Sequence, residues 1–312
     1  MQFLYFLEGI RNPVLDAFFS VITMLGEETA FMAIAIIFFW CVSKTSGYFL
    51  LITGFIGTVI NQFLKMIFRI PRPWVIDSNF TIVESAKEAA TGYSFPSGHT
   101  QSSVTLFGGI ARSTKNNVLR WIAIAICVLV PLSRMYLGVH TPLDVIVSIL
   151  ISLVLIFVGF PLFQKAEKNG SIMYIIIGVL ALLVVAFTIF IYAFPFPESV
   201  YSAENIHNLE SARKNAFTML GCVAGLAVIY PIEKKFIRFE TNAVWWAQIL
   251  KVVLGLAIVL LVKEGLKTPL ELLFNGSLIA RSVRYFLIVI VAGLVWPLTF
   301  KWFSKLGKNK QK

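Results

Sequence analysis

Residues 93–100 read Tyr-Ser-Phe-Pro-Ser-Gly-His-Thr, and a run of helical length follows them directly. At the centre of this stretch, Pro96, Ser97, Gly98 and His99 stand where that helix should begin. Backbone N–H groups in the first turn of a helix have no partners inside it, and a glycine lets an anion approach them closely. The Ser97 hydroxyl could cap the helix or act as a further donor. The stretch therefore predicts either a capped helix start or a helix start that binds an anion.

The chain on either side of this stretch is strongly apolar. Hydrophobic residues make up 58% of its 312 residues, which indicates a polytopic membrane protein rather than a soluble domain. The net charge of +11 comes largely from lysines and arginines in short loops between apolar runs. This placement favours a role in membrane topology and contact with anionic lipid headgroups, and we predict no nucleic-acid partner. The three cysteines lie in apolar segments and show neither a disulfide pattern nor metal-ligand spacing.

The apolar runs predict an all-α polytopic membrane helical bundle with about nine transmembrane helices plus an N-terminal interfacial helix. We predict three parts: an amphipathic, interfacial segment at 1–28, a core of about five transmembrane helices at 29–165, and an additional membrane domain of about four helices at 166–312, of unknown role. The predicted spans lie at about 29–43, 47–68, 97–113, 118–137, 142–163, 171–194, 214–231, 244–263 and 283–303.

Upstream of residues 93–100, cations stand at the end of the second span. Lys65 precedes the helix end at Pro71, and Arg72 follows it. Cations at a helix C-terminus are favoured by the helix dipole and can extend to the membrane surface, so Lys65 and Arg69 need no further function. The alternative is that Lys65 and Arg72 converge on an anion. Asn61 and Gln62, one turn earlier, are either partners of this site or interhelical hydrogen-bond donors.

Downstream, residues 140–144 read His-Thr-Pro-Leu-Asp, which predicts a capped helix start. Thr141 suits the N-cap, Pro142 the first helical position and Asp144 the third. The same geometry holds His140 just outside the helix with a carboxylate one turn away. A carboxylate that accepts from one imidazole nitrogen leaves the other nitrogen free to attack an electrophile. Arg134, at the end of the preceding helix, is placed to return to the same pocket and bind phosphate oxygens.

The helix after Gly98 starts with unusually many polar residues, and His99 is the most informative of them. An ionisable group at a membrane boundary is costly and is usually functional. Gln101, Ser102, Ser103 and Thr105 either line a site or pack between helices. Together, the three polar segments supply three cations, two imidazoles and one carboxylate, a set that suits a phosphate group.

Charge placement predicts the orientation of the helices. One set of loops is basic, and includes Lys44, Arg112, Lys115, Arg120, Lys165, Lys168, Lys234 and Lys235. The other set holds most of the acids, including Glu27, Glu28, Asp77, Glu84 and Glu210. By the positive-inside rule the basic face and the C-terminus are cytoplasmic, and the three polar segments lie on the outer face. We predict an integral protein of a bacterial cytoplasmic membrane with its active site facing outside.

Three motifs carry a resemblance to a known family. They are a lysine, six residues and Arg-Pro (Lys65 to Pro73), Pro-Ser-Gly-His (Pro96 to His99), and Ser-Arg, five residues, His, three residues and Asp (Ser133 to Asp144). In all three the sequence resembles the type 2 phosphatidic acid phosphatase superfamily, without a departure. The resemblance covers roughly residues 30–165 and extends with no specificity to 170–312.

The resemblance implies a lipid phosphate phosphohydrolase that needs no metal or other cofactor. His140 is then the nucleophile that forms a phosphohistidine, Asp144 orients it, and His99 is the general acid. The phosphate would be bound by the following residues: Lys65, Arg72, Ser97, Gly98 and Arg134. The implied substrate is a lipid mono- or diphosphate in the bilayer, such as undecaprenyl diphosphate, phosphatidate, phosphatidylglycerophosphate or a sphingoid-base phosphate.

Two other functions stay open from the sequence. In a lipid phosphotransferase, a hydroxyl acceptor would replace water at the phosphohistidine, and the additional C-terminal helices could form its pocket. A lipid transporter could keep the phosphate pocket without turnover, although binding alone would not need both His99 and His140. In the C-terminal half, several charges lie near the predicted outer face: Lys263, Glu264, Lys267, Arg281 and Arg284. We interpret them as solvated helix ends, with an extended headgroup site as the alternative.

Overall fold

The computed structural model describes residues 1–87, 90, 92–194, 196 and 203–306. These residues form helices and loops with no strand among them, which confirms the predicted all-α class. The α-helices are α1 (Gln2–Gly9), α2 (Pro13–Met24), α3 (Glu28–Ile37), α4 (Lys44–Phe68), α5 (Pro73–Ile76), α6 (Gly98–Ser113), α7 (Asn117–Tyr136), α8 (Pro142–Lys168), α9 (Gly170–Ala193), α10 (Ala203–Ile232), α11 (Trp245–Gly265), α12 (Lys267–Leu273), α13 (Leu278–Ile290) and α14 (Phe300–Phe303). The tail at 307–312, part of the orientation prediction, lies outside the described residues.

Seven helical stretches of the described chain are long and apolar enough to cross a membrane: Lys44–Ile76, Asn117–Tyr136, Pro142–Lys168, Gly170–Ala193, Asn205–Ile237, Trp245–Leu273 and Leu278–Phe303. Pro13–Met24 and Glu28–Val42 make an eighth if this pair, bent by 51°, is one span. The prediction of about nine counted two further spans. The helix predicted at 97–113 has only 16 residues, and the span predicted at 29–43 is one arm of the bent pair.

The described chain divides into two compact units. The first comprises Met1–Met32, Phe49–Phe163 and Pro195–Ala212, and the second comprises Ala33–Tyr48, Gln164–Phe194 and Arg213–Lys312. The three-part division predicted from the sequence stays a prediction. All three polar segments singled out above lie in the first unit.

In the first unit, the N-terminal segment is fixed to α7. Arg11 Nε donates to the Tyr136 carbonyl at 3.0 Å, and the Tyr136 hydroxyl donates to Asp16 at 2.8 Å. Phe19 packs against the Tyr136 ring at the end of α7, with 4.4 Å between the ring centroids. The apolar face of α2 therefore covers α7 and the loop that follows it, while Val14 remains exposed.

Buried hydroxyl and amide groups join α6 to α8. Gln101 Nε2 donates to Ser152 at 2.9 Å and to Thr105 at 3.0 Å, and Ser148 donates to the Ser97 carbonyl at 3.0 Å. Of the two interpretations of the polar start of α6, packing between helices therefore holds for Gln101 and Thr105. These bonds set the start of α6 beside the start of α8.

In the second unit, buried polar side chains donate hydrogen bonds to backbone carbonyls of other segments. Trp40 Nε1 donates to the Ala292 carbonyl at 2.9 Å, and the buried Lys251 ammonium donates to the carbonyls of Trp40 and Thr241, both at 3.0 Å. Three π-helical turns interrupt the helices of this unit, at Phe38–Val42, Glu233–Ile237 and Val291–Val295. Such turns reposition the side chains beyond them and were not predicted from the sequence.

Candidate active site

The loop between α7 and α8 presents His140. Its turn depends on Gly138, which has a φ of +81°, and where an added Cβ would lie 2.7 Å from Arg11 Nη2. The helix start after it is capped as predicted, because the Thr141 N–H donates to Asp144 Oδ2 at 2.7 Å and the Asp144 N–H donates to Thr141 Oγ1 at 3.3 Å. The capping pair fixes Asp144 one turn from His140.

His140 lies between an arginine and this carboxylate. Arg72 Nη1 is 2.9 Å from His140 Nε2, and Asp144 Oδ2 is 3.4 Å from His140 Nδ1 without the alignment of a hydrogen bond. A guanidinium can only donate, so Nε2 must carry the lone pair and Nδ1 the proton. This is the tautomer that a nucleophilic Nε2 requires, with its N–H on the side of Asp144.

Burial and charge keep the His140 ring neutral. The pKa of His140 lies well below its ordinary value, first because burial disfavours the charged form, and then because Arg72, Arg134, Lys65 and His99 oppose a further positive charge. The same causes show that the basic groups of all three polar segments act on one imidazole. A neutral ring at neutral pH keeps the Nε2 lone pair available.

Asp144 also ties its own helix start to the stretch at 93–100. The buried Ser94 hydroxyl donates to Asp144 Oδ2 at 2.6 Å, and the Ser97 N–H donates to the Asp144 carbonyl at 3.2 Å. Its carboxylate thus accepts from a side chain of the stretch at 93–100 and from the backbone of its own helix start. Hydrogen bonds of this kind hold a buried carboxyl group in place.

Lys65 and Arg72 are anchored by neutral carbonyl oxygens. Lys65 Nζ donates to the Tyr93 carbonyl, and Arg72 Nε donates to the Gly92 carbonyl at 3.0 Å. Arg72 Nη1 also donates to the Val139 carbonyl at 2.9 Å. These bonds position the two buried cations through neutral oxygens, which do not cancel their charge.

The start of α6 is both capped and open. Ser97 Oγ accepts from the Thr100 N–H at 3.4 Å, as the N-cap prediction required. An added Cβ on Gly98 would have the Asn61 amide oxygen, 3.9 Å away, as its nearest neighbour, so no protein group crowds this glycine. Asn61 Nδ2 donates to the Pro96 carbonyl at 3.3 Å and thereby steadies the segment before the helix.

Arg134 and His99 bring buried donors that the protein leaves unpaired. Arg134 is fully buried, and its Nη1 donates to Thr23 Oγ1 at 2.7 Å, while its Nε and Nη2 have no partner. The buried Nε2 of His99 has none either. The N-terminal segment covers this region, because an added Cβ on Gly26 would lie 2.9 Å from the His99 carbonyl oxygen. Unpaired buried donors of this strength are costly unless an anion accepts from them.

The described site residues therefore place three cations, two imidazoles and one carboxylate around one point, an excess of positive charge that suits a phosphate dianion.

Comparison with known proteins also points to phosphate chemistry. Residues 45–168 match the PAP2 superfamily, and residues 217–310 match the PAP2 superfamily phosphatase transmembrane extension. Undecaprenyl-diphosphatase BcrC of Bacillus subtilis is 31% identical over 156 residues, which cover 48% of this chain and 76% of that protein. The chain belongs to the PAP2 superfamily.

Two further proteins are similar to this chain. Lipid A 4'-phosphatase of Porphyromonas gingivalis is 30% identical over 156 residues, covering 47% of this chain and 66% of that protein. The crystal structure of Aquifex aeolicus LpxE is 25% identical and covers 51% of this chain and 93% of that chain, with a TM-score of 0.46. The predicted enzyme class is confirmed: this PAP2 protein is a phosphatase.

Two residues that hold site side chains in place were not predicted from the sequence. Thr23 holds Arg134, and Ser94 holds Asp144. Ser94 lies inside the stretch at 93–100, and its fixed distance of three residues from Ser97 was a usable signal. Thr23 offered none, because it is 111 residues from Arg134 and lies in a segment predicted to be interfacial.

Ser94→Ala is expected to lower kcat about tenfold while changing KM little, because it removes one charge-assisted hydrogen bond from Asp144 without touching the phosphate. Ser94→Thr, which keeps the hydroxyl, serves as the partner variant and should retain more activity than Ser94→Ala. Steady-state phosphate release from the purified variants measures both. Equal kcat for wild type and Ser94→Ala would contradict a positioning role for Ser94.

Among the described residues, no three or more His, Cys, Asp or Glu side chains group as a metal site would require. The absence of a metal requirement stays a prediction.

Proposed function

We propose that this PAP2 protein is a membrane lipid phosphate phosphohydrolase that acts through a phosphohistidine at His140 without a metal ion. The observation that carries the proposal is the setting of the His140 ring, with Nε2 against Arg72 at 2.9 Å and Nδ1 toward Asp144 at 3.4 Å. The three buried cations around the ring would hold a phosphate so that its phosphorus faces Nε2. Phosphoryl transfer depends chiefly on such positioning and charge stabilisation.

In the first step, the His140 Nε2 lone pair attacks phosphorus and the bond from phosphorus to the lipid oxygen breaks. Arg72 moves from Nε2 to a phosphate oxygen, because the nitrogen can no longer accept from it once the new bond forms. Burial and the charges of Arg134, Arg72 and Lys65 lower the pKa of His99 to about 2, so His99 takes up a proton only when the charge of a bound phosphate dianion offsets these cations. It then gives this proton to the leaving lipid oxygen. The negative charge of Asp144 stabilises the positive phosphoimidazole through the Nδ1 proton.

In the second step, water attacks the phosphohistidine and inorganic phosphate leaves. His99, now neutral, takes the proton of the attacking water, and His140 Nε2 recovers its lone pair. Arg134 supports both steps. Its unpaired Nε and Nη2 and the open helix start at Gly98 supply donors for the phosphate oxygens as their charge shifts.

The substrate class rests on the membrane setting and on the relatives. One is named an undecaprenyl-diphosphatase, another a lipid A 4'-phosphatase, and a third, of Dictyostelium discoideum, a probable sphingosine-1-phosphate phosphatase. The last is 29% identical over 160 residues, and the chain covers 38% of it. We propose a lipid mono- or diphosphate for this chain, with the headgroup in the pocket and the tail in the bilayer.

The orientation follows from the charges of the loops. The basic loops place their face in the cytoplasm by the positive-inside rule, together with the C-terminus. We therefore propose that the site opens on the extracytoplasmic face of a bacterial cytoplasmic membrane. A substrate would then enter from the outer leaflet.

The test is phosphate release by detergent-purified protein from a panel of lipid phosphates, with EDTA present throughout. We expect release from at least one lipid mono- or diphosphate, changed less than twofold by EDTA. A strict requirement for added magnesium would contradict the metal-free mechanism. Phosphorylation of an added alcohol without release of inorganic phosphate would instead identify a phosphotransferase. Inactivity toward all lipid phosphates, with or without an acceptor, would overturn the proposed function.

A further inference from the structure

A second cluster of cations lies in the second unit, where α10 meets α13. Ser282 Oγ donates to the Phe217 carbonyl and Arg281 Nε to Thr218 Oγ1, both at 2.6 Å. The helices touch here, because an added Cβ on Gly221 would lie 2.1 Å from the Ser282 carbonyl oxygen. The basic residues at this contact are Arg281 and Arg284 on α13 and, one turn before Phe217, Arg213 on α10.

Arg284 is the unexpected member of this cluster. Only 7% of it is exposed, so its interpretation as a solvated helix end was wrong. Its Nε has no partner, and no hydrogen bond or ion pair joins its guanidinium to another described residue. The guanidinium carbons of Arg281 and Arg284 each lie 5.5 Å from the centroid of the Tyr285 ring, so one ring faces two cations.

The location makes unpaired cations more costly still. Both arginines lie in the first two turns of α13, where the helix dipole already contributes partial positive charge. Arg213 adds a further cation whose buried Nε is also unpaired, although its guanidinium rests on the Tyr192 ring at 5.0 Å. No carboxylate forms an ion pair with any of the three arginines in the described chain. Arg284 is the buried member of the three, and a buried charge is normally paired, so its guanidinium favours binding of an anion that the described residues do not supply.

We propose that Arg281 and Arg284 bind a phosphate-bearing anion in the transmembrane extension. Planar guanidinium groups match tetrahedral phosphate oxygens, and the surrounding aromatic rings suit the apolar part of a lipid. The ligand is the headgroup of an anionic lipid or free phosphate, which share this chemistry. The proposal is for binding alone. It is independent of the turnover proposed for His140.

The experiment compares ligand-dependent thermal stability of full-length purified proteins. The variants are wild type, Arg281→Gln/Arg284→Gln and the matched control Lys214→Gln, an exposed charge next to Arg213 on the same helix. The probes are dioctanoyl phosphatidylglycerol, zwitterionic dioctanoyl phosphatidylcholine and inorganic phosphate. Phosphatidylglycerol is a phosphodiester, so binding is measured without turnover, and failure of the proposed phosphatase activity would leave this result unaffected.

We expect phosphatidylglycerol to stabilise wild type and Lys214→Gln saturably, and the double variant to need at least about tenfold more lipid for the same shift. If inorganic phosphate produces the same difference between wild type and double variant, the ligand is free phosphate. If only the lipid does, it is a headgroup. An equal response of wild type and double variant to both anions would overturn the proposal, as would equal stabilisation by phosphatidylcholine. Should the double variant not fold, Arg281→Gln alone, at a half-buried position, must weaken the response, and an unchanged response would overturn the proposal.

Discussion

His140→Ala is expected to lower phosphate release by at least about 1,000-fold, the largest effect of any single substitution in this protein. Alanine removes the nitrogen that would attack phosphorus, and no other described imidazole or thiol is set between an arginine and a carboxylate as this ring is. Rapid quenching of wild type with labelled substrate should trap an acid-labile, alkali-stable phosphoprotein. His140→Ala should form none.

The matched control is His207→Ala, because His207 is an exposed imidazole on α10 outside the pocket. Its rate should stay within twofold of wild type. If His140→Ala released phosphate at the wild-type rate, the phosphohistidine mechanism would be wrong. If it also abolished lipid movement across the membrane, the chain would be a transporter that keeps a phosphate pocket.

Arg72→Lys is expected to lower kcat/KM about 100-fold even though the charge is retained. Arg72 uses Nε and Nη1 for three contacts at once, with the Gly92 carbonyl, the Val139 carbonyl and His140 Nε2. A lysine ammonium cannot span these acceptors from one position. The variant should therefore lose the hydrogen bonds that position the loop at 137–141. It should also lose the guanidinium N–H whose bond to His140 Nε2 keeps the ring proton on Nδ1.

Product inhibition separates this role from a merely structural one. Inorganic phosphate should inhibit Arg72→Lys at least about tenfold more weakly than wild type, because the phosphate loses a bidentate partner. Arg112→Lys, an exposed arginine at the far end of α6, is the control and should match wild type in rate and inhibition. Unchanged inhibition of Arg72→Lys by phosphate would show that Arg72 does not contact the substrate.

Much of the pocket was predictable because its parts are short and local. The capping pair of Thr141 and Asp144 follows from side-chain geometry within one turn. The position of His140 one turn from Asp144 could therefore be predicted without any tertiary contact. The end of α4 before Arg72 follows in the same way from two prolines. Such signals act over a few residues, so the sequence alone is enough to interpret them.

The features that were missed depend on distant contacts. The bond from Arg134 to Thr23 and the packing of α2 on α7 arise only when segments far apart in the chain meet. The span predicted at 97–113 is not among the seven apolar stretches. The polar groups of α6 bond α8 in the interior and make this helix less apolar than a lipid-exposed helix. The burial of Arg284 was invisible for the same reason, since the sequence does not show which face of α13 meets α10.

The position of Thr23 has a consequence for biosynthesis. During translation Thr23 leaves the ribosome 111 residues before Arg134, its partner. The nascent chain thus carries Lys65, Arg72 and the Gly98 helix start into the bilayer while it still lacks His140. On the proposed mechanism, the chain gains activity only once α7 and the loop that carries His140 have joined helices made earlier, so an incomplete chain is a membrane protein before it is a catalyst.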